Sequence, residues 1–294
     1  MSYSVQICSP IKVQPKSLFE LLAAMGERIV VVSDTFPTIR FGSEKYALRG
    51  VDVNQMDDGY QVRICAMASM ADYQLFPKVV FALQQLTNGD VFAEDDDEPN
   101  LVKDPKKRFG LKWRRQQNDS SWHVTCMLLQ EYQQEIIFQG LFAPFVIGLK
   151  MLAAYDVDLS APTSGESYKH VEYQLFSAQW NICRGVSTKT NMILPNPKDA
   201  EQNLSISMIA KSNGEVQDFD YISYANLICF FDRDADKVVL IRYQHLADIL
   251  PPNKFTLFDE AQYVKTDDIT VDDFYAMMQS AEPFINENLF EERE

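Results

Sequence analysis

The chain has 294 residues, of which 46% are hydrophobic and 23% charged, and its formal net charge is −15 at pH 7. These values are typical of soluble globular proteins, and they exclude a disordered chain, a collagen-like fibre and a small disulfide-rich scaffold. The length predicts two domains, or one large one.

The negative charge is concentrated in the second half of the chain. Residues 1–160 contain 16 basic and 20 acidic side chains, whereas residues 161–294 contain 11 and 22. A field of this sign repels phosphate backbones and attracts cations, so nucleic-acid binding by the second half is not expected and a basic protein partner is favoured. Solubility is the simpler explanation of the same charge.

The cysteines and apolar segments indicate a cytoplasmic protein without a membrane segment or cofactor. The five cysteines lie far apart, and no pair has the short spacing of a zinc or dithiol motif. The N-terminus lacks the pattern of a signal peptide, and the apolar stretch 136–149 is too short to span a membrane and contains Pro144. Glycine-rich phosphate loops are absent from the sequence.

In chain order, the first hundred residues predict two helices and several short strands. Ser69 and Asp72 resemble a capping box at the start of the second helix, and Asn88-Gly89 is a typical helix end. Asp58-Gly59 predicts a hairpin turn. The predicted helices cover 17–28 and 69–87, and the predicted strands cover 29–32, 38–41, 46–53, 60–66 and 90–93.

Residues 94–120 form the most strongly charged segment, and we predict a long exposed loop or protruding hairpin. The acidic run Glu94–Glu98 is followed, over residues 103–115, by seven basic side chains against one acid. Adjacent carboxylates on one loop rarely converge on an ion, so no metal site is predicted there. Phe109 and Trp113 lie between the cations, as in a surface that stacks on a ligand.

This segment contains the candidate partner-binding residues, and its basic part is suited to phosphates or to an acidic partner. An ordinary solvated hairpin is the alternative. The candidates are Lys106, Lys107, Arg108, Lys112, Trp113, Arg114 and Arg115.

The remaining chain predicts an α+β fold of mostly antiparallel strands with a few packed helices. Small residues over 159–167 indicate a boundary between domains 1–160 and 161–294. Asp232, Asp234 and Asp236 have the spacing that begins a calcium loop, but Lys237 occupies the position of the required glycine, so we predict a hairpin turn. Strands are predicted at 122–129, 136–142, 145–147, 204–210, 221–231 and 237–243, and a helix is predicted from 270 onward. The pattern of 168–182 is ambiguous, and its apolar positions fit a helix better than a strand.

Two segments resemble a bacterial protein family of unknown function. The first runs from Gln139-Gly140 to Ile147-Gly148, and the second begins at Phe219-Asp220-Tyr221 and continues to Leu250-Pro251. The resemblance implies a bacterial protein but no activity or cofactor.

Three functions are compatible with these observations. The first is a protein–protein interaction module, such as a regulator, adaptor or immunity-type protein, since no catalytic or metal-binding motif is found in the sequence. The alternative is a hydrolase or transferase whose carboxylates, such as Asp156, Asp158, Asp218 and Asp220, come from separate strands. The third is contact with single-stranded nucleic acid by the 103–115 segment.

Overall fold

The computed structural model describes residues 2–44, 46–95, 98–182, 188–195, 203–257, 259–285 and 287–289. The chain divides into two compact units, Met1–Gln179 and Trp180–Glu294, which we call the first and second units. The division falls within a helix near residue 180, and the domain boundary after residue 160 stays a prediction.

The first unit is built on a seven-stranded antiparallel sheet. β1 lies between β5 and β6, so that Val5 pairs with both Val62 and Ala93. The spatial order is β2-β3-β4-β5-β1-β6-β7. In chain order the strands are β1 (Tyr3–Cys8), β2 (Ile29–Ser33), β3 (Thr38–Ser43), β4 (Val51–Met56), β5 (Gly59–Ile64), β6 (Asp90–Asp95) and β7 (Glu98–Leu101).

Two helices, α1 (Pro15–Ala24) and α2 (Met70–Thr87), contribute buried side chains to the same core as the sheet. The predicted capping box of α2 is confirmed, because Asp72 and Ser69 bond to each other's backbone N–H groups. Asn88 ends α2 with a φ of 49°, in the left-handed region that favours Asn and Gly.

The prediction of an exposed loop over 94–120 is wrong for its larger part. Beyond β7 the chain forms α3 (Pro105–Arg108) and α4 (Leu111–Tyr132), so the strand predicted at 122–129 is also wrong. The buried positions of α4 have helical spacing, but three of them are the polar residues Asn118, Ser121 and Thr125, which hide the apolar periodicity. Of the acidic run Glu94–Glu98, residues 96 and 97 lie outside the described residues.

The rest of the first unit comprises a short hairpin and two helices. These are β8 (Ile136–Gln139), β9 (Pro144–Ile147), α5 (Leu149–Ala154) and α6 (Ser167–Ile182). The fully buried Gln179 side chain accepts hydrogen bonds from the N–H groups of Phe142 and Ala143 and donates one to the carbonyl of Ala143. The apolar segment 140–148 is therefore largely part of the core.

The second unit has two sheets and two helices among its described residues. One sheet has the order β10-β11-β14-β15 with β12 beside β11, and the other has the order β13-β17-β16. β11 and β14 are parallel, whereas the other strand pairs are antiparallel. The elements are β10 (Lys189–Pro195), β11 (Asn203–Ser212), β12 (Glu215–Val216), β13 (Tyr221–Ile222), β14 (Leu227–Asp232), β15 (Lys237–Arg242), α7 (Leu246–Ile249), β16 (Phe255–Leu257), β17 (Tyr263–Lys265) and α8 (Val271–Ala281).

Two predicted local features of the second unit are confirmed. Asp232 and Lys237 pair across a tight hairpin, as their sequence predicts, and Thr270 with Asp273 forms the capping box of α8. The α+β fold class is confirmed as well, with mostly antiparallel sheets and packed helices in both units. Within the described ranges of both units, every helix is too short or too polar to cross a membrane.

Candidate functional site

The predicted basic run lies on two consecutive helices rather than on a loop. The Asp104 side chain accepts a hydrogen bond from the Lys107 N–H and so caps α3. Gly110 then separates α3 from α4. The cations therefore lie on helical backbone, and the capping bond of Asp104 fixes the start of the first of the two helices.

The two aromatic residues of this run are buried, which corrects the prediction that they form a stacking surface. Phe109 is 0% exposed and Trp113 is 8% exposed. The Trp113 ring stacks on Phe76 of α2 with 5.6 Å between centroids, and Phe109 meets Trp113 edge-on at 4.9 Å. Tyr3 of β1 contacts the same rings. The aromatic side chains therefore hold α3 and α4 against α2 and the sheet.

A cleft of about 490 Å³ lies beside these helices, and we call it the basic cleft. Its volume is within the range of small-molecule and side-chain binding sites. Met25, at the end of α1, and Pro77 supply apolar surface, while Gln74 adds an amide. The lining residues are Met25, Gln74, Pro77, Lys78, Lys106 and Arg114.

The two lysines of the basic cleft are held in place by neighbours. The Lys78 ammonium donates a hydrogen bond to the Glu27 carboxylate. The Lys106 Nζ lies 3.8 Å from the centroid of the Phe81 ring, which is a cation–π contact. Phe81 leaves the positive charge of Lys106 unneutralised, whereas Glu27 offsets that of Lys78.

Arg114 is the least satisfied member of the cleft. Its Nε is buried and has no hydrogen-bond partner among the residues that the structure describes. Asn118 follows one helical turn later on α4; it is 2% exposed, and its Oδ1 likewise has no partner in the described part of the chain. Neither atom has appreciable accessible surface, so a bound molecule would contact the exposed part of the Arg114 side chain, which is half-buried and lines the cleft.

The other basic candidates lie outside the cleft. Lys112 and Arg115 line a second, shallower depression of about 560 Å³ together with Asp119, an acid that offsets part of their charge. Lys107 and Arg108 are exposed on α3 and line neither cavity. Of the seven predicted residues, the structure brings only Lys106 and Arg114 together in the basic cleft.

The four aspartates of the enzyme hypothesis do not form one group within either unit. Asp158 is exposed and bonds to Ser160, which lowers the pKa of its carboxyl. Asp218 pairs with Lys265 at 2.8 Å, and that bond lowers its pKa. Asp156 lies in the first unit and Asp220 in the second. Among the described residues, no three His, Cys, Asp or Glu side chains are grouped closely enough to hold a metal ion.

Two carboxyl groups of the first unit, the buried Asp72 and the half-buried Glu172, lie outside the lining of the cleft. The Asp72 carboxylate accepts hydrogen bonds from the backbone N–H groups of Leu48, Arg49 and Gly50, each at 3.0 Å, and burial raises its pKa. Trp122 Nε1 donates to Glu172 at 3.1 Å, and burial raises the pKa of Glu172 to about 7. Both groups join neighbouring parts of the fold.

Sequence reasoning missed Met25, Gln74, Lys78 and the supporting Glu27. Gln74 and Lys78 are one turn apart on α2, and polar residues with this spacing occur on every solvent-exposed helix face. The local sequence therefore does not identify them as residues of a binding site. Comparison with protein-family models, with curated proteins and with solved structures finds no match to this chain. The function is therefore inferred from the residues of the cleft.

Proposed function

We propose that this chain is a protein-binding module whose basic cleft holds an acidic segment of a partner protein. One observation carries the proposal: Lys78, Lys106 and Arg114 line one cleft, and Glu27 is the one carboxylate bonded to them among the described residues. A carboxylate placed there offsets part of the excess positive charge and accepts charge-assisted hydrogen bonds.

The mechanism is recognition by charge and shape without chemical change. Met25 and Pro77 provide apolar surface for the methylene groups of an acidic side chain, while the cations contact its charged end. The aromatic contacts of Trp113 and Phe109 fix the helices beforehand, so little ordering is needed on binding. A basic partner for the acidic second half, a role as regulator, adaptor or immunity-type protein, and a cytoplasmic location remain predictions.

The test measures binding of a fluorescein-labelled acidic peptide with glutamate at its central position to the full chain by fluorescence anisotropy. The paired substitution Lys106→Glu with Arg114→Glu should weaken binding at least about 10-fold. Raising the salt from about 50 to about 200 mM should weaken binding to the unsubstituted chain as well. Lys106→Gln with Arg114→Gln is a milder second variant whose folding is checked by circular dichroism.

The matched control is Lys16→Glu with Lys150→Glu, which makes the same change in net charge at two exposed positions outside the cleft. This control should bind within about twofold of the unsubstituted chain, because only local charge contributes at such salt. Equal loss in both pairs would show that net charge alone attracts the peptide, and would overturn the proposal. Tighter binding of a single-stranded oligothymidylate than of the peptide would replace the protein partner with nucleic acid.

The enzyme hypothesis stays open to a separate measurement. If the aspartates form a catalytic site, Asp158→Asn or Asp218→Asn would lower the catalytic rate. The cleft variants would leave that rate unchanged. Both residues are exposed, so these substitutions leave the fold intact.

A further inference from the structure

We infer that the basic cleft is a binding site for a phosphate monoester dianion, so that the acidic segment it holds contains a phosphorylated side chain. This inference rests on the proposed function and names the chemistry of its ligand. It depends on the charge balance of the cleft, on the presence of the Arg114 guanidinium in its lining and on the contacts that hold the two lysines.

The charge balance of the cleft matches a dianion. Its lining has three cations, Lys78, Lys106 and Arg114, and the one carboxylate bonded to them in the described residues is that of Glu27, which leaves a net charge of +2. A phosphorylated side chain has a charge of about −1.5 to −2 at neutral pH, whereas Asp or Glu has only one negative charge. A carboxylate would leave one cation of the cleft uncompensated, while a phosphate neutralises it.

The Arg114 guanidinium provides the geometry that phosphate recognition uses. Arginine presents planar, forked N–H donors that bond two phosphate oxygens at once, and Nε–H is one of those donors. Arg114 lines the cleft and its side chain is half-buried, so the exposed part of its guanidinium can present such donors to a ligand. A phosphate has a third oxygen left for a lysine, which a carboxylate does not.

The lysines are positioned before the ligand arrives. Lys106 is held over the Phe81 ring at 3.8 Å, and Lys78 is bonded to Glu27. Fixed side chains lose less conformational entropy on binding than free ones. The remaining wall, formed by Met25, Pro77 and the Gln74 amide, accommodates the apolar stem and one further oxygen.

The experiment compares three peptides of identical acidic sequence with phosphoserine, glutamate or serine at the central position, titrated onto the full chain by isothermal calorimetry. The phosphoserine peptide should bind at least about 10-fold more tightly than the glutamate peptide. Arg114→Lys keeps the positive charge but removes the planar guanidinium that can bond two oxygens at once. It should reduce the ratio of the two affinities to about twofold or less. The control Lys16→Glu with Lys150→Glu should leave the ratio unchanged.

The outcomes separate this inference from the proposed function. Equal affinity for the phosphoserine and glutamate peptides would overturn the phosphate inference and leave the acidic-peptide proposal standing. Absence of binding by all three peptides, with none by inorganic phosphate or free phosphoserine, would overturn both.

Inorganic phosphate is included as a competitor to identify the source of the phosphoryl group. Displacement of the phosphoserine peptide by millimolar phosphate, at lower affinity than the peptide, supports a phosphorylated protein segment in the cleft. If free phosphoserine binds as tightly as the peptide, the phosphate site is supported, but the acidic flanking residues contribute nothing and the protein partner is replaced by a small phosphorylated molecule.

Discussion

Two cationic side chains, the buried Lys211 of the second unit and the half-buried Arg114 of the first, differ in how many hydrogen-bond partners they have among the described residues. In the second unit, Lys211 lies 3.1 Å from Asp232 and 2.8 Å from Asp234, and Tyr275 donates to the second oxygen of Asp232 at 2.9 Å. In the first unit, Arg114 Nε is buried and has no partner among the described residues.

The pKa values follow this difference. The hydrogen bond to Asp234 is the largest cause that raises the pKa of Lys211, and the same bond lowers the pKa of Asp234 to about 2. Each charge in that cluster stabilises the other, so the cluster belongs to the fold. Among the described residues the Nε of Arg114 has no such partner, and in our proposal the charge of Arg114 is compensated by a ligand. The number of hydrogen-bond and ion-pair partners within the protein therefore distinguishes a charge that stabilises the fold from a charge that we propose binds a ligand.

The largest expected effect on stability is at Asp72 of the first unit, whose buried carboxyl group accepts several hydrogen bonds. Asp72→Ala removes the acceptor of three buried backbone N–H groups and should lower the free energy of unfolding of the first unit by about 3–5 kcal/mol. Urea unfolding monitored by tryptophan fluorescence measures this, with the exposed Asp119→Ala as the control. A loss below about 1 kcal/mol would show that a buried charge with several hydrogen-bond partners does not necessarily stabilise the fold, and would contradict the comparison.

The second effect concerns the Lys211 cluster itself. Lys211→Met leaves Asp232, which is 1% exposed, without its cation. Amide hydrogen exchange in β11 and β14 should become about 100-fold faster, because an unpaired buried charge favours local opening. Lys237→Met is the matched control, since its pair with Glu282 is exposed and contributes little. Equal exchange in the two variants would contradict the comparison.

A third, smaller effect depends on pH. Glu172 has an ordinary pKa of 4.5 when unfolded and about 7 in the fold, so between these values the folded state holds a proton that the unfolded state has released. The free energy of unfolding of the first unit should therefore fall as the pH rises from about 4.5 to 7, by about 1–3 kcal/mol. In Glu172→Gln this component disappears, and urea unfolding at several pH values measures it. If the variant and the unsubstituted chain had parallel pH profiles, Glu172 would not be the titrating group.

The smallest effect is expected in the cleft. Lys106→Ala removes a cation whose contact within the described part of the chain is the Phe81 ring; it should lower stability by less than about 1 kcal/mol, while weakening peptide binding. Thermal unfolding and anisotropy on the same sample measure both quantities. A large loss of stability would show that Lys106 stabilises the fold, as Lys211 does, and would contradict its assignment to a binding site.

Local signals in the sequence predicted the parts of the fold that depend on neighbouring residues. Ser69 with Asp72, Thr270 with Asp273 and the hairpin after Asp232 each need only a few adjacent side chains, and the structure confirms them. α4 could not be recognised in the same way, because its buried face contains Asn118 and other polar residues. Their burial depends on tertiary packing, which local sequence does not reveal.

The candidate site was predictable in part, for a related reason. The charges of Lys106 and Arg114 are visible in the sequence, but Lys78 is about thirty residues away from them and joins the cleft only because α2 packs against α3 and α4. Trp113 was expected at the surface because it lies between cations. In a helix, adjacent residues point in different directions, so Trp113 turns inward.

The arrangement of Trp113 and Phe109 has a consequence for engineering. The aromatic rings anchor α3 and the first turn of α4 from within, while Lys106, Lys107 and Arg108 are exposed. In the proposed site the rings that hold the helices are thus different residues from the cations that would contact a ligand. Replacing the cations by acids would convert the same cavity into a receptor for cationic peptides, with the rings retained as a fixed frame.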